Sequence, residues 1–426
     1  MDKKVPVSSV VFRDDLYPRI ETSQAKVNEY IDSLDVLPPI EVNQHNEIID
    51  GWHRWTAHKK AKAEEIAVTV TETKSDNELF TLACRRNARH GLQLSAKDKK
   101  KAALRMYAEG TGEDKARIAK DLSVTERTVS GWLTDIDKRL REERDETIRA
   151  MWLACHTQQQ IADEVGVTKE TISQTVQECQ KLESFPKSDK LHALYQEPEW
   201  EPPLYDIWNQ SKQSNKAPVF GSVPSEFVDN LLYTFTEPFD IVVDPFAGSG
   251  STIDLCKRRL RRYWVSDRAP DEARTDIRQF ELSGDGISGP SRWADVALVY
   301  LDPPYWKQAE GKYSQDDADL ANMSLEEFTD TLIAIICAYG KKLPAGAHIA
   351  CITSPTQWPN DDKSTNYHDI DLACRVNNKL QLVRRVVCPY STQQYNGTQV
   401  EIAKERKLWM VLSRTMLIWQ VAAKAE

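Results

Sequence analysis

Long apolar runs are missing from this 426-residue sequence. None approaches the roughly 20 residues needed to cross a bilayer. The N-terminal stretch "MDKKVPVSSVVF" also lacks the apolar core of a secretory leader. Together these absences point to a cytoplasmic protein. Cysteine is sparse, with 8 residues scattered and no C-x-x-C pair, which counts against a disulfide framework or a zinc site. An excess of positive charge is absent too. The net charge is −9, so a general nucleic-acid coat is disfavoured, although local basic surfaces are not. There is no dense carboxylate cluster of the kind a metal-dependent nuclease would need.

The length suits two to four domains at roughly 100–200 residues each. Basic runs occur at "KDKKKAALR" (97–105), "DKRLREER" (137–144) and "KRRLRR" (257–262), each readable as a solvated helix face or a phosphate-binding surface. From about Val219 the pattern becomes α/β. "IVVD" (241–244), "YWVSD" (263–267) and "VALVYLD" (296–302) are short β-branched or aromatic runs ending in an acid, as buried parallel strands do. "HIACITS" (348–354) and "LWMVLSR" (408–414) are further strand candidates. Lys187–Lys216 has no period and is expected to be a linker or an arm.

Residues 95–182 are expected to be helical and contain a weak repeat. "RIAKDLSVTERTVSGWL" (117–133) aligns with "QIADEVGVTKETISQTV" (160–176). Each copy predicts a helix, a turn at Ser123 or Gly166, and a second helix capped by Thr125 or Thr168. The pattern resembles the helix-turn-helix family, whose second helix enters the major groove. That resemblance makes Glu126, Arg127 and Ser130, and in the second copy Lys169, Glu170, Ser173 and Gln174, candidates for contact with base edges or phosphates. A hairpin that only packs is the alternative.

"VDPFAGSGST" (243–252) places glycines between a strand and a helix, where backbone can approach a ligand closely. It lacks the Lys of a P-loop, which disfavours a triphosphate. Asp267 ends the next strand, about 20 residues on, where an acid commonly takes ribose hydroxyls. A ribose acceptor without phosphate machinery suggests S-adenosylmethionine, with the helix N-terminus after Gly250 facing its carboxylate. "LDPPYW" (301–306) then sets an Asp, two prolines and an aromatic at a strand's C-terminal end. An exocyclic amine is a poor nucleophile because its lone pair is delocalised into the ring. Acceptors that hold its N–H bonds favour a tetrahedral nitrogen. Asp302 and the Pro303 carbonyl suit that task, the prolines stiffen the backbone, and Tyr305 can stack on a base turned out of the helix.

These motifs resemble the amino-group DNA methyltransferases, which make N6-methyladenine or N4-methylcytosine. The resemblance covers about 220–414, including "FGSVPSEFVDNLLYTFT" (220–236) as the segment beside the methionine moiety. It implies a Rossmann-like α/β domain over 219–426. It also implies S-adenosylmethionine at Asp244, Pro245, Phe246, Gly248, Ser249, Gly250, Asp267 and Asp285, and catalysis by Asp302, Pro303, Pro304 and Tyr305. DPPY follows the glycine loop too closely for a recognition domain between them. Target choice must then come from 306–405, the N-terminal half, or both, and Lys307 in "YWKQAEGKYS" (305–314) is a candidate DNA contact. The tetrapeptide is commoner for adenine without fixing the base.

The N-terminus adds a third resemblance. "PPIEV" (38–42), "IIDGWHRWTAHKKA" (48–61) and "RRNARHGLQLSAKDKKKAALRMY" (85–107) precede the helix-turn-helix in the order of the ParB N-terminal family. That family binds nucleotide phosphates at a Gly-x-x-Arg turn. The resemblance implies a small α+β domain over 1–93, a helical region over 94–184 and an arm over 185–218. It makes Gly51, His53, Arg54 and Asn87 a nucleotide or phosphate site. Arg86 replaces the usual acid, and Trp52 and His53 replace the usual charged pair, which counts against a working cytidine triphosphate site. The combined expectation is a site-specific methyltransferase acting on double-stranded DNA, with a homodimer left open and no membrane partner. The alternative is a partition-type DNA-binding regulator with an inactive methyltransferase domain. An association with a restriction system is a further expectation.

Overall fold

The computed structural model describes residues 2–89, 93–108, 114–180, 203–209, 223–282, 286–312, 316, 319–357, 365–376, 380–390 and 397–423. The chain divides into two compact units, Met1–Arg144 and Asp145–Glu426.

In the first unit, strands β1 (Asp2–Pro6), β2 (Ile40–Val42), β3 (Ile48–Asp50) and β4 (Glu65–Val70) form one sheet in the order β1-β4-β2-β3. β2 runs parallel to β4 with Ile40 opposite Val68, and the other pairs are antiparallel. Alternation along these strands sends Val5, Ile40, Val42, Ile66 and Val68 into one core. The expected strand, turn at Gly51, helix and strand are all present. Helix α1 (Gln24–Ile31) packs on α2 (Trp52–Lys60), and α3 (Asp76–Arg89), α4 (Ala96–Ala108) and α5 (Lys115–Leu122) follow. Ile118, Leu122, Val129 and Leu133 meet Phe80, Ala103 and Met106 in a second core.

Both copies of the repeat form a helix, a turn and a second helix. Ser123 (φ 51) and Gly166 (φ 71) take the left-handed conformation the turns need. Asp114 caps α5, and Thr157 makes a capping box on α7 (Gln158–Val165). Thr125 Oγ1 accepts from Thr128 N at 3.2 Å, and Thr168 Oγ1 from Thr171 N at 3.3 Å, so both second helices are capped as the sequence suggests. The second helix of the first copy is not short. It opens α6 (Glu126–Leu153), 28 residues long, and the division between the units falls inside it. The second copy, α7 with α8 (Lys169–Gln180), therefore belongs to the second unit. Its Ile161, Ile172 and Val176 share a core with Val242, Val265 and Leu298 of the sheet.

That sheet has seven strands in the order β12-β13-β9-β8-β5-β6-β7. They are β5 (Ile241–Asp244), β6 (Arg262–Asp267), β7 (Arg278–Gln279), β8 (Val296–Leu301), β9 (His348–Thr353), β12 (Leu380–Pro389) and β13 (Ser413–Val421). The short pair β10 (Thr356–Gln357) and β11 (Thr365–Asn366) stands apart. β7, β6, β5, β8 and β9 are parallel, while β13 inserts antiparallel between β9 and β12. This is the Rossmann-like α/β architecture expected. The chain leaves β5 toward β6 on one side and leaves β8 toward β9 on the other, so the order reverses between β5 and β8. Ligand crevices open at such a switch point, beyond the strands' C-terminal ends.

Two expectations need correction. The last strand runs over Ser413–Val421 and not 408–414, because "TMLIWQV" pairs with both β9 and β12 whereas 408–412 pairs with neither. The basic run 257–262 does not form a continuous exposed face, since only Lys257 and Arg258 of it are exposed. Arg259 is buried in a two-bond ion pair with Asp229 (2.7 and 2.8 Å), and Arg261 is buried against Thr236 and backbone carbonyls. Arg262 lies over the Trp152 ring, and Lys257 reaches Asp276. Most of the expected arm lies outside the described residues. In 203–209, Ile207 bridges to Val387.

Candidate functional site

The glycine loop leaves β5 at Asp244, which is 1% exposed. Its carboxylate works within the loop, with Phe246 N donating to Oδ1 (2.9 Å) and Thr252 Oγ1 to Oδ2 (2.6 Å). Burial nevertheless pushes this carboxyl up to about 6. Pro245 is buried and Phe246 half-buried, while Gly248 and Ser249 are exposed. Gly248 (φ 50) and Gly250 (φ 79) are both left-handed, for different reasons. A Cβ at Gly248 would meet open space, whereas one at Gly250 would strike the Arg274 guanidinium at 2.8 Å. Arg274 donates to the carbonyls of Ser249 and Gly250 and pairs with Asp254 and Asp276, bracing the turn from below. Gly250 opens the helix Ser251–Arg258 with no side-chain cap.

Asp267, at the end of β6, faces this loop. Gly248 N donates to its Oδ2 at 2.9 Å and Ala269 N to its Oδ1 at 3.0 Å. Each oxygen keeps a second lone pair for a ligand hydroxyl. Open space at Gly248, an uncapped helix start and a half-exposed acid on the neighbouring strand form a donor set that fits a nucleoside carrying a carboxylate. Asp285 lies outside the described residues.

Asp302 follows β8 directly, across the switch point from Asp244. Burial pushes its carboxyl up to about 7, against the pull of Arg414, and the nearby Asp244 adds to the rise. Tyr300 and Tyr305 stand on either side in sequence. Both hydroxyls are buried, and hydrogen bonding from each to the Asp302 carboxyl opposes the rise. Arg414, at the start of β13, was not singled out from the sequence. It is 5% exposed, and its guanidinium lies 4.6 Å from the Tyr390 ring centroid and 5.6 Å from that of Phe227. Tyr390 Oη donates to Ser354 Oγ at 3.0 Å, and Gln308 Nε2 donates to the same oxygen at 3.1 Å. Pro303 is buried and Pro304 half-buried. Trp306 locks the far end of the motif, donating to Met323 O at 2.9 Å while its own carbonyl accepts from Thr356 Oγ1 at 2.9 Å.

The expected DNA contacts are spread. Arg127 is exposed in the first unit, and Lys169 is exposed and Ser173 half-buried on α8 in the second. Lys307, beside the DPPY motif, pairs with Glu310 at 2.6 Å.

In the first unit a cleft of about 270 Å³ surrounds the start of α2 and is lined by Tyr17, Arg19, Lys26, Trp52 and Arg54, among others. Gly51 (φ 104) is obligatory there, since a Cβ would lie 2.5 Å from Ile40. The other three expected ligands are committed to structure. His53 Nε2 accepts from Ser23 N (2.9 Å), and burial pulls the ring down to about 4, so it is neutral at pH 7 rather than a cation for phosphate. Arg54 donates to Pro38 O, Pro39 O and Asp50. Asn87 bonds Tyr17, Ile49 O and Ala83 O. Arg86, the departure from the family pattern, makes a two-bond pair with Glu41.

Fold and site define an α/β protein whose glycine loop and half-buried Asp302 meet at the switch point of a doubly wound sheet. Residues 3–87 match the model of the ParB N-terminal domain, and residues 94–275 match the model of the N6/N4 DNA methylase family. Successive parts of the chain thus match a ParB N-terminal model and an N6/N4 DNA methylase model. The second match takes in both helix-turn-helix copies, the glycine loop and Asp267, and ends before Asp302. Similar solved structures include the C-terminally truncated chromosome-partitioning protein ParB from Caulobacter crescentus complexed to the centromeric parS site. It is 16% identical, with 45% of this chain and 97% of that chain covered and a TM-score of 0.26. TrmN from Thermus thermophilus is 14% identical over 46% of this chain and 48% of that one, TM-score 0.29. An S-adenosylmethionine-dependent methyltransferase from Clostridium acetobutylicum is 11% identical over 47% and 91%, TM-score 0.29. No curated protein matches the sequence.

Proposed function

We propose that the chain transfers a methyl group from S-adenosylmethionine to the exocyclic amine of a base turned out of double-stranded DNA, with N6 of adenine as the acceptor. The observation that carries this reading is the meeting of the braced glycine loop and the Asp302 carboxyl at one switch point. Bound at Gly248, Ser249 and Asp267, the cofactor would supply an electrophilic methyl group.

The chain's own residues do the rest. Asp302, as a carboxylate, accepts an N–H of the target amine, and the Pro303 carbonyl accepts the other. Together they localise the nitrogen lone pair. The half-exposed Tyr305 ring stacks on the base, and Pro304 fixes the backbone between these groups. Arg414 keeps a fraction of Asp302 ionised in a site that burial would otherwise hold neutral. The proton released after transfer leaves to solvent, so no general base is required. The helix-turn-helix copies supply DNA affinity through Arg127, Lys169 and Ser173.

The test is direct. Full-length protein is incubated with labelled S-adenosylmethionine and unmethylated genomic DNA, and the labelled nucleoside is identified by mass spectrometry. N6-methyladenine is expected. N4-methylcytosine would reassign the base, and DNA binding without any label would favour the regulatory reading.

A further inference from the structure

The loop leading into β13 carries the most exposed large apolar side chain among the described residues, Trp409, at 95% exposure. Its backbone is nevertheless pinned. Gln357 Nε2 donates to Trp409 O at 2.6 Å, and Val411 N donates to Gln357 Oε1 at 3.1 Å. Upstream, the helix Gly397–Arg406 is closed by Lys407 in the left-handed conformation (φ 54), with Leu408 N donating to Ala403 O at 2.9 Å. Downstream, Tyr390 N donates to Leu412 O at 3.0 Å. The indole is thus presented outward from a fixed base.

Its place is the rim of the site. β13 runs antiparallel to β9, so the start of β13 lies at the same edge as the C-terminal ends of β8 and β9. Arg414, on that start, is the buried cation acting on Asp302. Gln357, which holds Trp409, follows Thr356, whose hydroxyl is bonded to the backbone of Trp306. The same rim exposes Lys404, Arg406 and Lys407 alongside the acids Glu401 and Glu405, and Lys404 pairs with Glu401, which leaves Arg406 and Lys407 as the cations nearest Trp409 in sequence. A rigidly mounted aromatic among cations has the composition of a surface that stacks on nucleic-acid bases and holds phosphates.

We infer that Trp409 is a wedge that enters the DNA duplex beside the site and stacks on the bases left behind when the target base turns out, with Arg406 and Lys407 on the flanking phosphates. This rests on the DNA methyltransferase reading above.

The test uses the full chain, unmethylated plasmid duplex, and the variants Trp409→Phe and Trp409→Ala. The chain has 12 Trp, so the emission of Trp409 is taken as wild type minus Trp409→Phe. Duplex DNA should quench that difference. Trp409→Ala should lose about ten-fold or more in methyl transfer to duplex, Trp409→Phe should restore most of it, and S-adenosylmethionine binding should be equal in all three. An unquenched difference on bound DNA overturns the inference whatever the transfer assay shows. Equal transfer by wild type and Trp409→Ala overturns it as well. A quench with no transfer by the wild type would instead sink the proposed reaction and leave the wedge standing.

Discussion

Asp302 is held between two demands. As an acceptor for an amine it must be ionised, yet burial raises it from 3.8 to about 7. Methyl transfer should therefore rise with pH through about 7 and level off above it, as a rate–pH profile at saturating cofactor would show. Stability runs the other way. A carboxyl raised in the fold adds most stability below its unfolded value and loses that contribution as pH climbs through its folded value. Asp302→Asn should then abolish transfer while raising the melting midpoint at pH 8 by about 2–6 °C, on the order of 1–2 kcal/mol for a unit of this size. The gain should shrink as pH falls below about 7 and vanish only below about 4, where Asp302 is protonated in the unfolded chain as well. Equal melting of the two proteins at pH 8 would contradict the burial argument. Arg414→Gln removes the cation that opposes the rise, so the alkaline plateau should begin at higher pH.

At the scale of elements, the two glycines of the cofactor loop separate fold from ligand. Gly250→Ala meets both a left-handed φ and the Arg274 guanidinium, and should cost roughly 1–3 kcal/mol in urea unfolding. Gly248→Ala meets only the φ penalty, since open space surrounds it. It should stay folded yet bind S-adenosylmethionine at least about ten-fold more weakly, because its methyl would stand where the ligand must approach. Equal loss of binding in both, in step with stability, would remove Gly248 from the site.

The same scale shows what was legible in the sequence. Strands ending in Asp244, Asp267 and Asp302 were readable because buried parallel strands are continuous apolar runs and their ends are marked by acids. The repeated Thr caps and turn residues marked both helix-turn-helix copies because capping is local chemistry. Arg414 was not readable, since its partners are brought to it by an antiparallel strand from the far end of the chain. The run 257–262 misled for the same reason, because Asp229, which buries Arg259, lies in a different helix. Family resemblance singled out Gly51, His53 and Asn87, but only tertiary structure shows that His53 is neutral and bound to Ser23.

For the whole molecule, the division inside α6 means that the second helix-turn-helix shares a core with the sheet. Trp152, at the end of α6, is buried against Phe239 at 5.4 Å and beneath Arg262. Trp152→Ala should cost about 3–5 kcal/mol in the second unit's unfolding transition and leave the first unit's unchanged. Deletion follows the same logic. A chain beginning at Asp145 should be soluble and bind S-adenosylmethionine, whereas one beginning at Leu182 should strip the partners of Phe239 and aggregate. Soluble, cofactor-binding protein from the shorter chain would show the second copy to be dispensable for folding.

The most direct measurement for the central claim is single-turnover methyl transfer to unmethylated DNA by wild type and Asp302→Asn, with S-adenosylmethionine and DNA binding measured on the same samples. The account predicts binding within about two-fold of wild type and a loss of transfer of at least about 100-fold. Transfer by Asp302→Asn at a rate near that of the wild type would contradict it.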